Sequence, residues 1–429
     1  MSETGVKLSK RFRTLALLAC ASAMAGAAQA QQTPPPAAAP VVSQPQAAVS
    51  APDPQPLPPP VWSAQDALTL LGYIRNIGAE GLAPADYDPA SLEFALRAGD
   101  PVALSKVATE RYNKLSSDLA LGHVRGEDRI DWWIKDPDLD SGRQDQLLRW
   151  ALFTHQIAQS LNGLMPTHPQ YAALKHALEV TPREEADKIN RIRLNMDRWR
   201  WLPHDLGERY IIVNVPAYTA ALVEKGETIS RHHAVAGKIS TPTPQLSAMA
   251  TGVIINPWWE IPSSIADEVA GKKGYVALRD DNGKVIRWRQ PPGPSNALGK
   301  MKFVMPNSKA IYLHDTNAKS RFNSRVRAYS HGCIRTEDII DLATILLTEG
   351  GEEWSAERVK ETLASGKSKL AKFPEPLPVY IVYMSSAANV DGRIIDYPDI
   401  YKRDGSVISA LLDAKKHPAV DHEDKVATR

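Results

Sequence analysis

Ser330-His331-Gly332-Cys333-Ile334-Arg335, with Tyr312-Leu313-His314-Asp315-Thr316 upstream of it, is the stretch on which the reading of this chain turns. The upstream segment closes a predicted strand over 310–314. The downstream one occupies a loop before a helix that starts near Thr336. A cysteine attacks as the thiolate, so it needs a base and surroundings that favour the anion. His331 stands two residues away, an awkward angle for reaching its neighbour. His314 sits on another element that can hold its ring against the thiol, so geometry favours His314 as the base. Gly332 removes bulk beside Cys333, which lets backbone N–H groups converge on a carbonyl oxygen. The positive end of the following helix would also favour the thiolate, and Arg335 would hold a carboxylate by a bidentate pair. Two plainer readings stand beside this one. Cys333 would be a buried inert thiol, or His314, His331 and Cys333 would share a zinc ion, although no fourth ligand follows at regular spacing.

Working outward, the segment from Arg209 onward reads as strands: 210–215, 220–223, 229–235, 252–255, 301–304, 310–314 and 379–383. β-Rich runs alternate there with turn signals such as Glu224-Lys225-Gly226. Helices are expected at 338–347 and 356–363. The block at 266–289, with the hairpin signal Asp280-Asp281-Asn282-Gly283, interrupts the sheet and would cover a site. From Trp62 to about Val180 the pattern is helical. Ser63 and Asp66 open it like a capping box, and Ala67, Leu70, Leu71, Ile74 and Ile77 follow at helical spacing. Thr181-Pro182-Arg183-Glu184 reads as a second capped start, with Ile189, Ile192, Met196 and Trp199 on one face and Pro203 as the stop. The fold class expected is α+β, a mostly-β domain with a capping insertion behind a helical one.

The ends of the chain bound its environment. Lys7, Lys10, Arg11 and Arg13, the apolar run from Thr14 to Ala28 and Ala28-Gln29-Ala30 read as a secretory signal over residues 1–30. Leu17-Leu18-Ala19-Cys20 offers a rival lipoprotein route in which Cys20 is acylated. Residues 31–61, rich in Pro, Ala and Gln, read as a tether without core-forming residues, and 413–429 as a polar tail. The signal holds four basic residues and one acid, so its removal takes the formal net charge from +2 to −1, which argues against nucleic acid as a partner. Of two cysteines one goes with the signal. The mature chain then carries a lone thiol in an oxidising compartment, with no internal disulfide.

His314 followed by Ser330-His331-Gly332-Cys333-Ile334-Arg335 resembles the signature of the YkuD-type L,D-transpeptidase catalytic domain. Asn256-Pro257-Trp258-Trp259-Glu260-Ile261-Pro262, Gln290-Pro291-Pro292-Gly293-Pro294, Asn296-Ala297-Leu298-Gly299 and the Trp62–Leu82 block resemble its large YcbB-like branch, scaffold portion included. The resemblance implies a helical scaffold domain at 62–180 and a catalytic domain at 181–412, with the cap insertion at about 264–300. It leaves no room between them for the peptidoglycan-binding domain of many relatives. It implies a periplasmic enzyme without cofactor or metal, in which Cys333 attacks a tetrapeptide stem, forms a thioester and passes the acyl group to a second stem as a 3→3 cross-link. His314 would be general base and acid, and the Asp315 carbonyl would orient its ring. The amides of His331, Gly332 and Cys333 would hold the oxyanion, and Arg335, Tyr312 and Ser330 would line the substrate cleft. Its partners would be peptidoglycan stem peptides, carbapenems as inhibitors, and cell-wall synthesis proteins through the scaffold domain. Alternatives on the same site are an L,D-carboxypeptidase or hydrolase and attachment of a protein amine to peptidoglycan. The non-enzyme alternative is an inactive wall-binding scaffold protein.

Overall fold

Helical spacing of apolar residues in the first block becomes a packed helical layer. The computed structural model describes residues 57–135, 139–348, 353–389 and 391–413; the expected signal, Cys20, most of the tether and nearly all of the polar tail lie outside them. Helix α1 spans Ala64–Asn76. Ser63 caps it, its hydroxyl accepting from the Asp66 N–H and donating to the Asp66 carboxylate, and Ala67, Leu70, Leu71 and Ile74 are buried. Asp88 and Asp100 cap α2 (Pro89–Ala98) and α3 (Pro101–Leu121), each with Pro at the first helical position. With α4 (Ser141–Thr154) and α5 (Ile157–Asn162) they enclose a core around Leu70, Tyr112, Leu115 and Leu148.

The capped start at Thr181 is not observed. Thr181 instead ends α6 (Pro169–Val180), its N–H and hydroxyl both donating to the Ala177 carbonyl. Pro182 then does what a proline after a helix end does, and α7 begins at Ala186 and runs to Arg200. Ile192, Met196 and Trp199 are buried on its inner face, and no domain intervenes between α6 and α7.

The second block is a mixed sheet. Its strands are β1 (Trp132–Trp133), β2 (Arg209–Asn214), β3 (Thr219–Glu224), β4 (Glu227–Gly237), β5 (Gln245–Ile255), β9 (Met301–Val304), β10 (Leu313–His314), β11 (Ala328–Ser330), β12 (Ile334–Thr336) and β13 (Lys369–Val382). The order is β1-β5-β13-β2-β3-β4-β12-β10-β9, and a further β5–β9 pairing closes the path on itself. Inside lie alternate residues such as Ile211, Val213, Leu222, Val253, Phe303, Leu313, Ile334 and Ile381, against α9 (Ile339–Thr348). The cap is a separate three-stranded sheet: β6 (Trp259–Glu260), β7 (Val276–Arg279) and β8 (Val285–Gln290), with the short α8 (Ala266–Val269). It has its own small core of Ile261, Ile265 and Val269 beside Trp259 and Trp288. The cap sheet thus takes in Trp259 and Glu260, ahead of the 264 start expected for the insertion. Helix α10 (Ala356–Ala364), strands β14 (Ser386–Ala388) and β15 (Ile394–Asp396) and helix α11 (Asp404–Leu412) complete the described chain.

Helix α7 ties the two blocks together through buried charge. The Asp197 carboxylate accepts from the backbone N–H groups of His123 and Val124 and from the Trp201 indole. His123 Nδ1 lies 2.7 Å from Asp118, and Arg198 pairs with Asp404 of α11 at 2.8 Å. Arg200 donates to the Glu80 carbonyl and to the Tyr171 hydroxyl. No helix among the described residues is long and apolar enough to cross a membrane.

Candidate active site

The site forms on the outer face of the barrel, where three short strands lie side by side. Strand β10 runs parallel to β12, with Leu313 opposite Ile334 and His314 opposite Arg335. Leu313 and Ile334 point into the core, so the two-residue period puts Tyr312, His314, Cys333 and Arg335 on the other face. On the far side β9 is antiparallel to β10, with Lys302 opposite His314. The expected strand over 310–314 shortens to Leu313–His314. Asn307 explains it: its side chain accepts from the Ile311 N–H and donates to the Ile311 carbonyl, and Ala310 adopts φ 53°. The loop so formed aims the Ala310 carbonyl at Cys333 Sγ, 3.7 Å away.

Cys333 itself is half-buried. Its loop is held from behind. Gly332 has φ 113°, a left-handed value that favours glycine, and a side chain there would press on Ile311. The Gly332 carbonyl accepts from the Thr243 hydroxyl at 2.7 Å, and Thr243 Oγ1 accepts from the Gly237 N–H. Gly237 also lies against Gly332, where a side chain would collide with the Thr241 carbonyl at 2.2 Å. Tyr401 closes this brace, donating to the Gly237 carbonyl at 2.6 Å.

Three expectations change at this loop. Ser330 is buried, and its hydroxyl is spent inside the loop, accepting from the Gly332 N–H and donating to the Cys333 carbonyl. Ser330 is therefore a loop brace, not a cleft residue. The Gly332 amide is engaged by the same contact, which leaves the His331 and Cys333 amides as oxyanion candidates. The residues after Cys333 form β12, and α9 begins only at Ile339. Its N-terminus follows Cys333 only after a strand and a turn.

Electrostatics assigns the roles. Burial first, then the Arg335 guanidinium and Lys302, push His314 down to about 3, against the opposing pull of the Asp315 backbone carbonyl on the ring N–H. The ring is thus a neutral imidazole at ordinary pH. Its Nδ1 is buried without a hydrogen bond of ordinary geometry, so the Asp315 backbone is near the ring but not closed onto it. The Asp315 carboxylate is turned away, accepting from the Lys300 N–H and the Lys319 ammonium. Burial raises the Cys333 thiol, while the Tyr312 backbone and hydroxyl, Lys302 and Arg335 all favour its anion. Burial first, then the Cys333 anion, raise the Tyr312 hydroxyl, and the Trp259 indole of the cap opposes them. Arg335 keeps a buried Nε without a hydrogen-bond partner and faces a second cation, Arg321. That leaves a guanidinium suited to an incoming anion. His331 points away, its Nε2 3.3 Å from both Lys238 and Glu268 of α8. Among the described residues no group of three or more His, Cys, Asp or Glu is arranged to hold a metal ion.

Comparison with known proteins fits this arrangement. Residues 208–365 match the L,D-transpeptidase catalytic domain (YkuD), and residues 58–178 match the Scaffold domain. The chain carries an L,D-transpeptidase catalytic domain behind a scaffold domain. A Haemophilus influenzae protein provisionally named an L,D-transpeptidase is 30% identical over 293 residues, 61% of this chain and 59% of that protein. Among solved structures, an L,D-transpeptidase from Mycobacterium smegmatis is 15% identical, covering 41% of this chain and 58% of its own, with TM-score 0.22. The Ldtfm–avibactam carbamoyl enzyme is 14% identical over 42% of this chain and 51% of its own, with TM-score 0.24. The chain spans less than two thirds of the length of these relatives. Around Cys333, the residues that sequence reading missed are Lys302, Thr243, Tyr401 and the cap's Trp259. Each is brought to Cys333 by strand register or a distant loop, not by proximity in sequence.

Proposed function

We propose that this chain is a periplasmic L,D-transpeptidase that forms 3→3 cross-links between peptidoglycan stem peptides through a Cys333 thioester. The observation that supports it most is the placement of His314 on β10 and of Cys333 immediately before the adjoining parallel strand β12, beside the cap. The Cys333 proton passes to the neutral His314 ring as sulfur attacks the carbonyl of the L,D peptide bond after diaminopimelate. The oxyanion is held by backbone amides, and His314 then gives the proton to the departing D-alanine amine. A second stem's side-chain amine attacks the thioester, loses its proton to His314, and sulfur leaves as the thiol. Arg335 is placed to bind a stem carboxylate.

The basic and apolar residues 1–30 support export by a cleaved signal, and the N-terminal sequence of the mature protein checks it: Gln31 is expected, and an acylated Cys20 would mean a lipoprotein. Exposed Phe94, Val102 and Phe153 on the scaffold helices support docking of wall-synthesis partners.

Intact-mass spectrometry with a carbapenem tests the nucleophile, since the β-lactam carbonyl is an acyl donor. The wild type is expected to gain one adduct and Cys333→Ala none; an unmodified wild type rejects the reading. Incubation with tetrapeptide muropeptides then distinguishes transfer from hydrolysis. Cross-linked dimers are expected, and tripeptides alone would make the enzyme an L,D-carboxypeptidase.

A further inference from the structure

Helix α9 begins only after β12, and the outer face of the barrel offers a nearer charge to favour the Cys333 thiolate. Met301 and Phe303 of β9 are fully buried, so Lys302 between them projects outward. It is the register partner of His314, and its ammonium stands 3.8 Å from the centre of the Tyr312 ring. That ring in turn meets His314 edge-on at 5.6 Å.

We propose that Lys302 is a positioning residue for the nucleophile: its ammonium favours the Cys333 thiolate over the thiol and the neutral His314 ring over the protonated one. The inference rests on Cys333 being the nucleophile. Other charges face the same point. Arg335 acts in the same sense from β12, with Arg321 beyond it, and Glu260 of the cap strand opposes by attracting Lys302. Lys302 sits lower than an ordinary lysine because burial penalises its charge, and the Cys333 anion works against that loss. The double effect suits acyl transfer. The proton that leaves sulfur sits on an imidazolium beside two cations, so it is readily given up to the departing amine, and the ring returns to the neutral base.

The test is the pH profile of Cys333 alkylation by iodoacetamide on the full chain with Cys20→Ser throughout, which leaves Cys333 as its one thiol, read by intact mass with Lys302 kept as in wild type and for Lys302→Met, Lys302→Gln and Lys302→Arg. Loss of a nearby opposite charge moves a titration by about one unit or more. The two neutral variants should therefore shift the thiol midpoint upward by that amount and slow alkylation below it about tenfold. Lys302→Arg should stay nearer wild type. The His314 ring, followed by NMR, should titrate at higher pH in the neutral variants, which a merely structural lysine would not bring about. Having two neutral variants keeps the comparison available should one of them fail to fold. A wild-type midpoint in a folded neutral variant overturns the inference while carbapenem uptake by wild type still stands. Failure of wild type to take up carbapenem overturns the nucleophile reading instead.

Discussion

His314 is where burial and chemistry meet most closely. Its folded-state value of about 3 lies below the 6.5 of a free histidine. Between those two pH values the unfolded chain binds a proton that the folded chain refuses, so stability falls as pH drops through 6.5 towards 3 and is unaffected above. Inside that window the slope is about 1.4 kcal/mol per pH unit, and His314→Gln is expected to remove it from urea titrations run at pH 7, 5 and 4. His314→Ala should also abolish carbapenem acylation, while His331→Ala, whose ring touches Lys238 and Glu268, should keep most of it; the opposite order would reassign the base. The pair Cys333 and His314 was legible because the Ser-His-Gly-Cys loop is short and ordered. Lys302 was not, because Met301-Lys302-Phe303-Val304 reads as plain strand alternation. Only the register against His314 reveals what its outward side chain faces.

At the scale of elements, the nucleophile loop depends on close backbone approach. Gly237 is not in a left-handed conformation, so conformational strain is not the issue there; space is. Gly237→Ala would drive a methyl into the Thr241 carbonyl and towards Gly332. Overpacking of this kind costs about 1–3 kcal/mol, and the melting temperature and the carbapenem acylation rate are both expected to fall. Helix and strand interiors followed from periodicity alone: α1 and β9 lie where spacing placed them. Ends were harder. Thr181 carries the same chemistry whether it caps the helix before it or after it, and only the hydroxyl's hydrogen bond to Ala177 decides. The strand at 310–314 was cut short by Asn307, a side chain outside the segment itself. The helix expected at 338–347 is found at Ile339–Thr348; only the nearer start at Thr336 gives way to β12, whose sequence, Ile334-Arg335-Thr336, is as compatible with a strand as with a helix start.

Across the whole molecule, α7 carries the joint between scaffold helices and barrel. The His123–Asp118 pair is buried beside Asp86 and Asp197, so His123→Ala would leave the buried Asp118 carboxylate with only the Tyr87 hydroxyl and Arg125. A loss of about 1.5–3 kcal/mol is expected from denaturant titration, with the carbapenem reaction kept at temperatures where the variant stays folded. None of this joint was visible in the spacing of apolar residues, since its partners come from four separate segments, around Glu80, His123, Tyr171 and Asp404, and its polar residues look like surface ones. The barrel has a parallel consequence in time. Strand β13 inserts between β2 and β5, yet it is made long after both. A chain emerging from its N-terminus must hold the hairpin of β2 and β3 and the strands β4 and β5 with their central gap unfilled until Val382 is available. Long-range closure of that kind slows folding and leaves sticky strand edges open meanwhile. Refolding should therefore show a slow phase set by β13 docking, and chains truncated ahead of Lys369 should bind hydrophobic dyes and aggregate rather than fold in part.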